Sequence, residues 1–109
     1  MSDQVVSISV AEFQRWRQDQ RQFAMLDVRE PWELEICSFP EALAIPLRHL
    51  PTRVGELPTD VPLVVVCHHG LRSQQAVNWL RENGVTTAVN LSGGIDAWAR
   101  LADRNMGVY

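Results

Sequence analysis

The chain has 109 residues, 46% of them hydrophobic, and a formal net charge of −3 at pH 7, which suits one globular domain over residues 1–109. No apolar run is long enough to cross a membrane, and the mildly acidic balance argues against a nucleic-acid partner. All ten basic residues are arginine, which excludes lysine Schiff-base chemistry. The two cysteines, Cys37 and Cys67, lack the spacing of a disulfide framework, and the opening MSDQVVSISV lacks the basic start and apolar stretch of a signal peptide. The expected setting is therefore the reducing cytoplasm.

In chain order, Val5 to Ile8 reads as a short strand. Ser9-Val10-Ala11-Glu12 has the S-x-x-E pattern of a capping box, opening a helix with Val10, Phe13 and Trp16 or Arg17 at helical spacing. Phe23 to Val28 is a second strand, ending in Asp27-Val28-Arg29-Glu30-Pro31. Pro31 suits a first helical turn, so Trp32 to Ile36 is expected to be a short helix. A loop from Cys37 to Glu41 leads to a third strand near Ala42 to Ile45. Leu47, Leu50, Val54 and Leu57 then mark a helix with Pro51 near its start.

The stretch from Pro62 to Gly84 carries the chemistry. Leu63-Val64-Val65-Val66 is an unbroken aliphatic run, as in a parallel strand buried on both faces. Ser73 to Asn83 is expected to be helical, with Ala76, Val77 and Leu80 on one face and Ser73 as its cap. Between them lies Cys67-His68-His69-Gly70-Leu71-Arg72, a tight loop at the carboxyl end of a strand, where ligands bind in open α/β sheets. A helix start offers unpaired N–H groups and a partial positive charge, which favour anions and make a cysteine there more reactive. Gly70 lets successive amides turn inward on one centre, and Arg72 adds a planar fork of donors. Thr87 to Leu91 is a fifth strand, and Ser92-Gly93-Gly94 turns into a last helix with Ile95, Trp98 and Leu101 on one face. Strand and helix alternate throughout, so the expected class is α/β around a parallel sheet. Trp16, Trp32, Trp79 and Trp98 are read as packing residues and Cys37 as structural. Cys67, His68 and His69 are neighbours in one loop without C-x-x-C or H-x-x-x-H spacing, so no metal is expected.

The pattern C-x-x-G-x-R-S after a hydrophobic strand, with Asp27-Val28-Arg29-Glu30, Ile45-Pro46-Leu47 and Leu91-x-Gly93-Gly94-Ile95-x-x-Trp98 in the same order, resembles the rhodanese-like sulfurtransferases over nearly the whole chain. That resemblance implies a five-stranded, mostly parallel sheet with helices on both faces, and second and fourth strands whose ends lie side by side. Asp27 and Arg29 would then border the site, as an ion pair fixing the loop or as substrate contacts. It further implies a Cys67 persulfide that takes a sulfane sulfur from a donor such as thiosulfate. A thiophilic acceptor (cyanide, a small thiol or a protein thiol) would remove it, with no cofactor. His68, His69, Gly70, Leu71, Arg72 and Ser73 are the expected substrate-binding residues. The family's G-H-I-P-G-A segment is replaced here by Cys37-Ser38-Phe39-Pro40-Glu41-Ala42, and histidines follow the cysteine where many thiosulfate-using members carry a cation. Cys37 precedes the third strand and Cys67 follows the fourth, which is expected to place them at opposite ends of the sheet.

Two rival readings follow from the same residues. Phosphatases and arsenate reductases share the fold, but the phosphatase loop is C-x5-R, whereas Cys67 to Arg72 is C-x4-R. A non-enzymatic binding module, or a persulfide carrier dedicated to a protein partner, would carry the same residues. Monomer and homodimer are both compatible with the sequence.

Overall fold

The computed structural model describes residues 6–109; the expected strand start at Val5 lies outside the described residues. The strands are β1 (Ser7–Ile8), β2 (Ala24–Asp27), β3 (Leu43–Ala44), β4 (Leu63–Val66) and β5 (Ala88–Leu91). The α-helices are α1 (Val10–Gln18), α2 (Pro31–Leu34), α3 (Leu50–Arg53), α4 (Leu71–Glu82) and α5 (Gly94–Leu101). All strand pairs are parallel, in the order β1-β5-β4-β2-β3. No described helix is long and apolar enough to cross a membrane.

β4 is the centre of the sheet, and all four of its side chains are fully buried. Alternation along the strand divides them between two cores. Leu63 and Val65 join Leu26 and Ala88 against Ala76, Val77 and Leu80 of α4 and Leu50 of α3. Val64 and Val66 join Met25 and Leu91 against Val10 and Phe13 of α1 and Ile95 and Trp98 of α5. The result is a three-layer α/β sandwich, which an aliphatic central strand without polar alternation requires. α1 begins at the expected Ser9 cap, forming one half of the box: the Glu12 N–H donates to Ser9 Oγ at 3.0 Å.

Two elements depart from expectation. Leu47, Leu50, Val54 and Leu57 do pack on the core, but not from one helix. Short 3-10 turns at Leu47–His49 and Val54–Glu56 flank the single α turn of α3. Pro51 supplies no N–H for the bond back to Leu47, and this breaks the ladder. α2 is also a single turn, and it turns Glu33 inward rather than Trp32, which is 60% exposed. Trp32 is therefore not a core residue.

The topology creates the crevice. From β2 the chain continues to β3 on one side, and from β4 it continues to β5 on the other. β2 and β4 are neighbours, with Asp27 opposite Val66. Loops leaving their carboxyl ends diverge, and the gap between them is where ligands bind in such sheets.

Candidate active site

Cys67 follows the last residue of β4, and the loop from it ends at Gly70, whose φ of 101° is left-handed. That conformation favours glycine, and a β-carbon there would also sit tightly, 3.1 Å from the Gly93 nitrogen. This turn brings two backbone donors and one hydroxyl oxygen to the thiol. The Gly70 N–H donates to Cys67 Sγ at 3.1 Å, the Ser73 N–H at 3.2 Å, and Ser73 Oγ lies 3.2 Å away. Cys67 itself is 1% exposed. The sulfur thus lies in a cradle of amides at the start of a twelve-residue helix, where negative charge on sulfur is favoured.

The expected capping role of Ser73 does not hold. α4 starts at Leu71, with left-handed Gly70 in the cap position and no side-chain cap. Ser73 is instead fully buried in the first turn, donating its hydroxyl proton to Asn90 Oδ1 at 2.5 Å, with its oxygen 3.2 Å from Cys67 Sγ. Asn90, on β5, donates from Nδ2 to the Gly70 carbonyl at 3.3 Å and to Gln74 Oε1 at 3.2 Å. It therefore orients both the hydroxyl and the loop backbone. The sequence signal for Asn90 is an amide in the middle of an otherwise apolar strand, since a buried polar group needs partners.

A second support comes from α5. Its Ile95 N–H donates to the Cys67 carbonyl at 2.9 Å and its Asp96 N–H to the His68 carbonyl at 3.0 Å. The glycine pair is thus more than a turn into a helix: its close approach lets α5 clamp the beginning of the cysteine loop.

Arg72 does not stand free over the sulfur. Its two terminal nitrogens donate to the two carboxylate oxygens of Glu33, each at 2.7 Å. Glu33, 3% exposed, also accepts from the Tyr109 hydroxyl at 2.8 Å and from the Glu30 N–H at 2.9 Å. Arg72 holds the Glu33 carboxyl down at about 2, with the Glu30 and Tyr109 donors adding to that and burial opposing it. Glu33 raises Arg72 in turn. Neither Glu33 nor Tyr109 was singled out from sequence; the E-P-W-E capping box of α2 is the trace Glu33 leaves.

This pair predicts an acid-sensitive fold. Glu33 titrates at about 2 when folded against an ordinary 4.5, so its contribution is complete above 4.5 and is lost as pH falls towards 2. With Arg72 partly exposed, the contribution is on the order of 2–3 kcal/mol. Urea unfolding over this interval should show the wild type losing stability that Glu33→Gln, already without the charge, does not lose. Parallel pH profiles for the two proteins would contradict the assignment.

Asp27 ends β2 and Arg29 follows it, buried rather than open to the crevice, with the bracing geometry of a fixed ion pair. Arg29 is fully buried and Asp27 nearly so. Arg29 donates from Nε to Asp27 Oδ1 at 2.9 Å and from a terminal nitrogen to Oδ2 at 2.7 Å. Its remaining donors reach the carbonyls of Glu33 at 3.3 Å and Cys37 at 2.9 Å, and the Tyr109 oxygen at 3.0 Å. Burial alone would lower the Arg29 guanidinium, but hydrogen bonds to Asp27 and Tyr109 more than reverse it, so it stays charged. Burial lifts the Tyr109 phenol to about 12, keeping it a neutral donor to Glu33.

The placement of Cys37 also differs from expectation. Its carbonyl accepts from Arg29 at the carboxyl end of β2, so it is not at the far end of the sheet from Cys67. The two thiols are separated by faces instead: Cys67 packs with the α4 layer and Cys37 with the α1 and α5 layer. Both are free and buried.

His68 and His69 line the mouth. His68 stacks on Tyr109, with centroids 3.7 Å apart and planes 4° from parallel, and His69 follows at 3.9 Å. Burial, with the neighbouring His69, pushes His68 below its ordinary 6.5. Its Nε2 is buried without a hydrogen-bond partner, as a neutral ring in a stack can be. Potential ligand atoms of His68, His69 and Asp96 lie within 4.8 Å of one another. The His69 ring is tilted 33° from that of His68, and Asp96 already pairs with Arg100 at 3.0 Å. Leu71 is 80% exposed at the loop's rim.

Comparison with known proteins is consistent with this geometry. The Rhodanese-like domain family matches residues 9–101. A sulfurtransferase of Allochromatium vinosum is 39% identical over 82 residues, covering 75% of this chain and 77% of that protein. An adenylyltransferase and sulfurtransferase of Arabidopsis thaliana is 36% identical over 94% of this chain, which spans only 25% of that longer protein. The crystal structure of a rhodanese-related protein from Thermoplasma volcanium superimposes with a TM-score of 0.79 at 33% identity, covering 89% of this chain and 93% of that one.

Proposed function

The chain belongs to the rhodanese-like domain family, and from that premise we propose that it is a sulfurtransferase working through a persulfide on Cys67. The observation that carries the reading is the cradle around Sγ: two backbone N–H groups, from Gly70 and Ser73, donate to it within 3.2 Å, with the Ser73 oxygen beside them. Cys67 thiolate attacks the outer sulfur of a donor such as thiosulfate. A bond forms between Sγ and that sulfur, the donor's S–S bond breaks, and sulfite leaves with the electron pair. The donors around Sγ are fixed before the reaction and stabilise the attacking thiolate, while the persulfide's charge on the outer sulfur forms beside the N-terminus of α4. A thiophilic acceptor, cyanide or a thiol, then takes the outer sulfur and restores the thiolate. No cofactor enters these steps. In this mechanism Arg72, tied to Glu33, positions the loop, while His68, His69 and Leu71 shape the entrance.

The short loop supports sulfur over phosphate. Cys67 to Arg72 spans C-x4-R, one residue less than the phosphatase loop, and its amides already converge on a single sulfur. The test is intact mass after incubation with thiosulfate, with an aryl phosphate as the competing substrate. Wild type and Cys37→Ser should each gain one sulfur atom and release it to cyanide, and Cys67→Ser should gain none. Efficient hydrolysis of the phosphate ester without sulfur loading would overturn the reading. Loading without turnover on cyanide or small thiols would make the protein a carrier for a protein acceptor.

A further inference from the structure

The charges around the mouth bear on which donor the Cys67 persulfide is made from, a question that rests on the sulfur-transfer reading. A dianion approaching the loop meets the partial charge of the α4 N-terminus but, among the described residues that contact the site, no unpaired side-chain cation. Arg72 spends both terminal nitrogens on Glu33. Arg29 is fully buried against Asp27. Arg100 is held by Asp96. Of the two imidazoles, His68 is clamped in the aromatic stack with its Nε2 buried, and His69 lies 3.8 Å from the Asp96 carboxylate. The N–H groups of Gly70 and Ser73 already point at Sγ. A carboxylate beside a guanidinium cancels most of the attraction that guanidinium would offer an incoming anion.

What the entrance offers instead is apolar and aromatic surface. Leu71 is 80% and Trp32 60% exposed. Trp32 meets Tyr109 edge-on at 5.9 Å, and Tyr109 stacks on His68, so Trp32 belongs to the same wall as the residue that follows Cys67. We infer that the preferred donor is an organic sulfane monoanion, a persulfide R–S–S⁻ or its thiosulfonate analogue R–SO₂–S⁻ with an apolar R, rather than the inorganic thiosulfate dianion. The chemistry balances as before: Cys67 thiolate takes the terminal sulfur, and the thiolate RS⁻ or sulfinate RSO₂⁻ departs with the electron pair of the broken bond.

The test compares thiosulfate, methanethiosulfonate and benzenethiosulfonate as donors to the full chain. The initial rate of Cys67 persulfide formation is read by intact mass. Each rate is divided by that of the same donor with a free cysteine ester in the same buffer, which removes intrinsic reactivity. The normalised rate should favour benzenethiosulfonate over thiosulfate by about tenfold or more, with methanethiosulfonate between them. Thiosulfate loading of the native protein should change less than about twofold between roughly 0.02 and 0.2 M salt, because the described cations at the site are already paired. Glu33→Gln, which leaves the Arg72 charge uncancelled, should raise the thiosulfate rate relative to the benzenethiosulfonate rate several-fold and make it salt-sensitive, even as the less firmly held loop lowers loading from every donor; the salt series on the native protein stands even if that variant does not fold. Equal or higher normalised rates with thiosulfate, or a steep salt dependence in the native protein, would overturn the donor assignment alone. Failure of all three donors to load Cys67 would instead remove the persulfide reading, and this inference with it.

Discussion

Gly94→Ala should abolish sulfur loading and destabilise the fold by about 3 kcal/mol or more. A β-carbon at Gly94 would lie 2.4 Å from the His68 carbonyl oxygen, 2.5 Å from the Cys67 carbonyl oxygen and 2.6 Å from the His68 carbonyl carbon. These are backbone atoms of the active loop and cannot swing aside as the end of a side chain could. The residue also has φ +64°, which a side chain resists. To relieve the overlap, the loop must retreat from α5, breaking the bonds from the Ile95 and Asp96 amides and carrying Sγ away from its donors. A displacement of about 1 Å at a reacting atom can cost on the order of a hundredfold in rate. Two other glycines provide the contrast. At Gly93 the β-carbon would meet the Ala97 side chain at 2.5 Å, with φ +81°. That strain is within α5 itself, so Gly93→Ala should lose stability while loading per folded molecule falls much less. At Gly55 nothing lies within 4 Å, and Gly55→Ala should be neutral within about 0.5 kcal/mol. Urea unfolding and intact-mass loading on the folded fraction measure both effects. A Gly94→Ala protein as stable and as readily loaded as Gly55→Ala would show that α5 does not hold the loop.

The cysteine loop was legible because its chemistry is contiguous. A buried aliphatic strand, a cysteine, a glycine and a helix within about a dozen residues force amides towards one atom, whatever the rest of the chain does. Strand and helix alternation likewise fixed a parallel sheet, and the parallel pairing of β2 with β4 followed the resemblance. What escaped the reading is what depends on partners distant in sequence. Arg72 reads as an anion binder until Glu33, 39 residues earlier, is seen to occupy its fork. Ser73 reads as a cap because a hydroxyl near a helix start ordinarily is one; the left-handed Gly70 moves the helix start two residues earlier and turns the hydroxyl to Asn90 and Cys67. Cys37 was assigned to the wrong end of the sheet because a loop between two parallel strands must return from one end to the other. α2 is only one turn long, so at Cys37 that return has scarcely begun. Tyr109 left no sequence signal: nothing in residues 103–109 announces that its hydroxyl will join Arg29 to Glu33.

Arg29→Met is expected to cost about 3–5 kcal/mol. The cost has two parts that further variants separate. One is charge: with the guanidinium gone, Asp27 is a carboxylate 1% exposed with its main partner removed. The other is bracing, because Arg29 also donates to the Glu33 and Cys37 carbonyls and to the Tyr109 oxygen, tying α2 and the segment after it to the end of β2. The double variant Asp27→Leu/Arg29→Met removes both charges, and replacing a buried ion pair with apolar residues is often close to neutral. If charge were the whole cost, the double variant would recover most of the stability. Because two carbonyls and the Tyr109 oxygen still lose a donor, each worth roughly 1 kcal/mol or more when left unsatisfied, recovery should be partial. Arg29→Lys should fall between the single and double variants, since one ammonium can neutralise Asp27 but cannot span the fork. Loading should fall further than stability in each case, because α2 carries Glu33 and Glu33 holds Arg72. The measurements are guanidinium unfolding midpoints for the three variants and persulfide formation at a concentration where each is folded. A loss below about 1 kcal/mol for Arg29→Met, or full recovery in the double variant, would reduce this pair to a replaceable core contact.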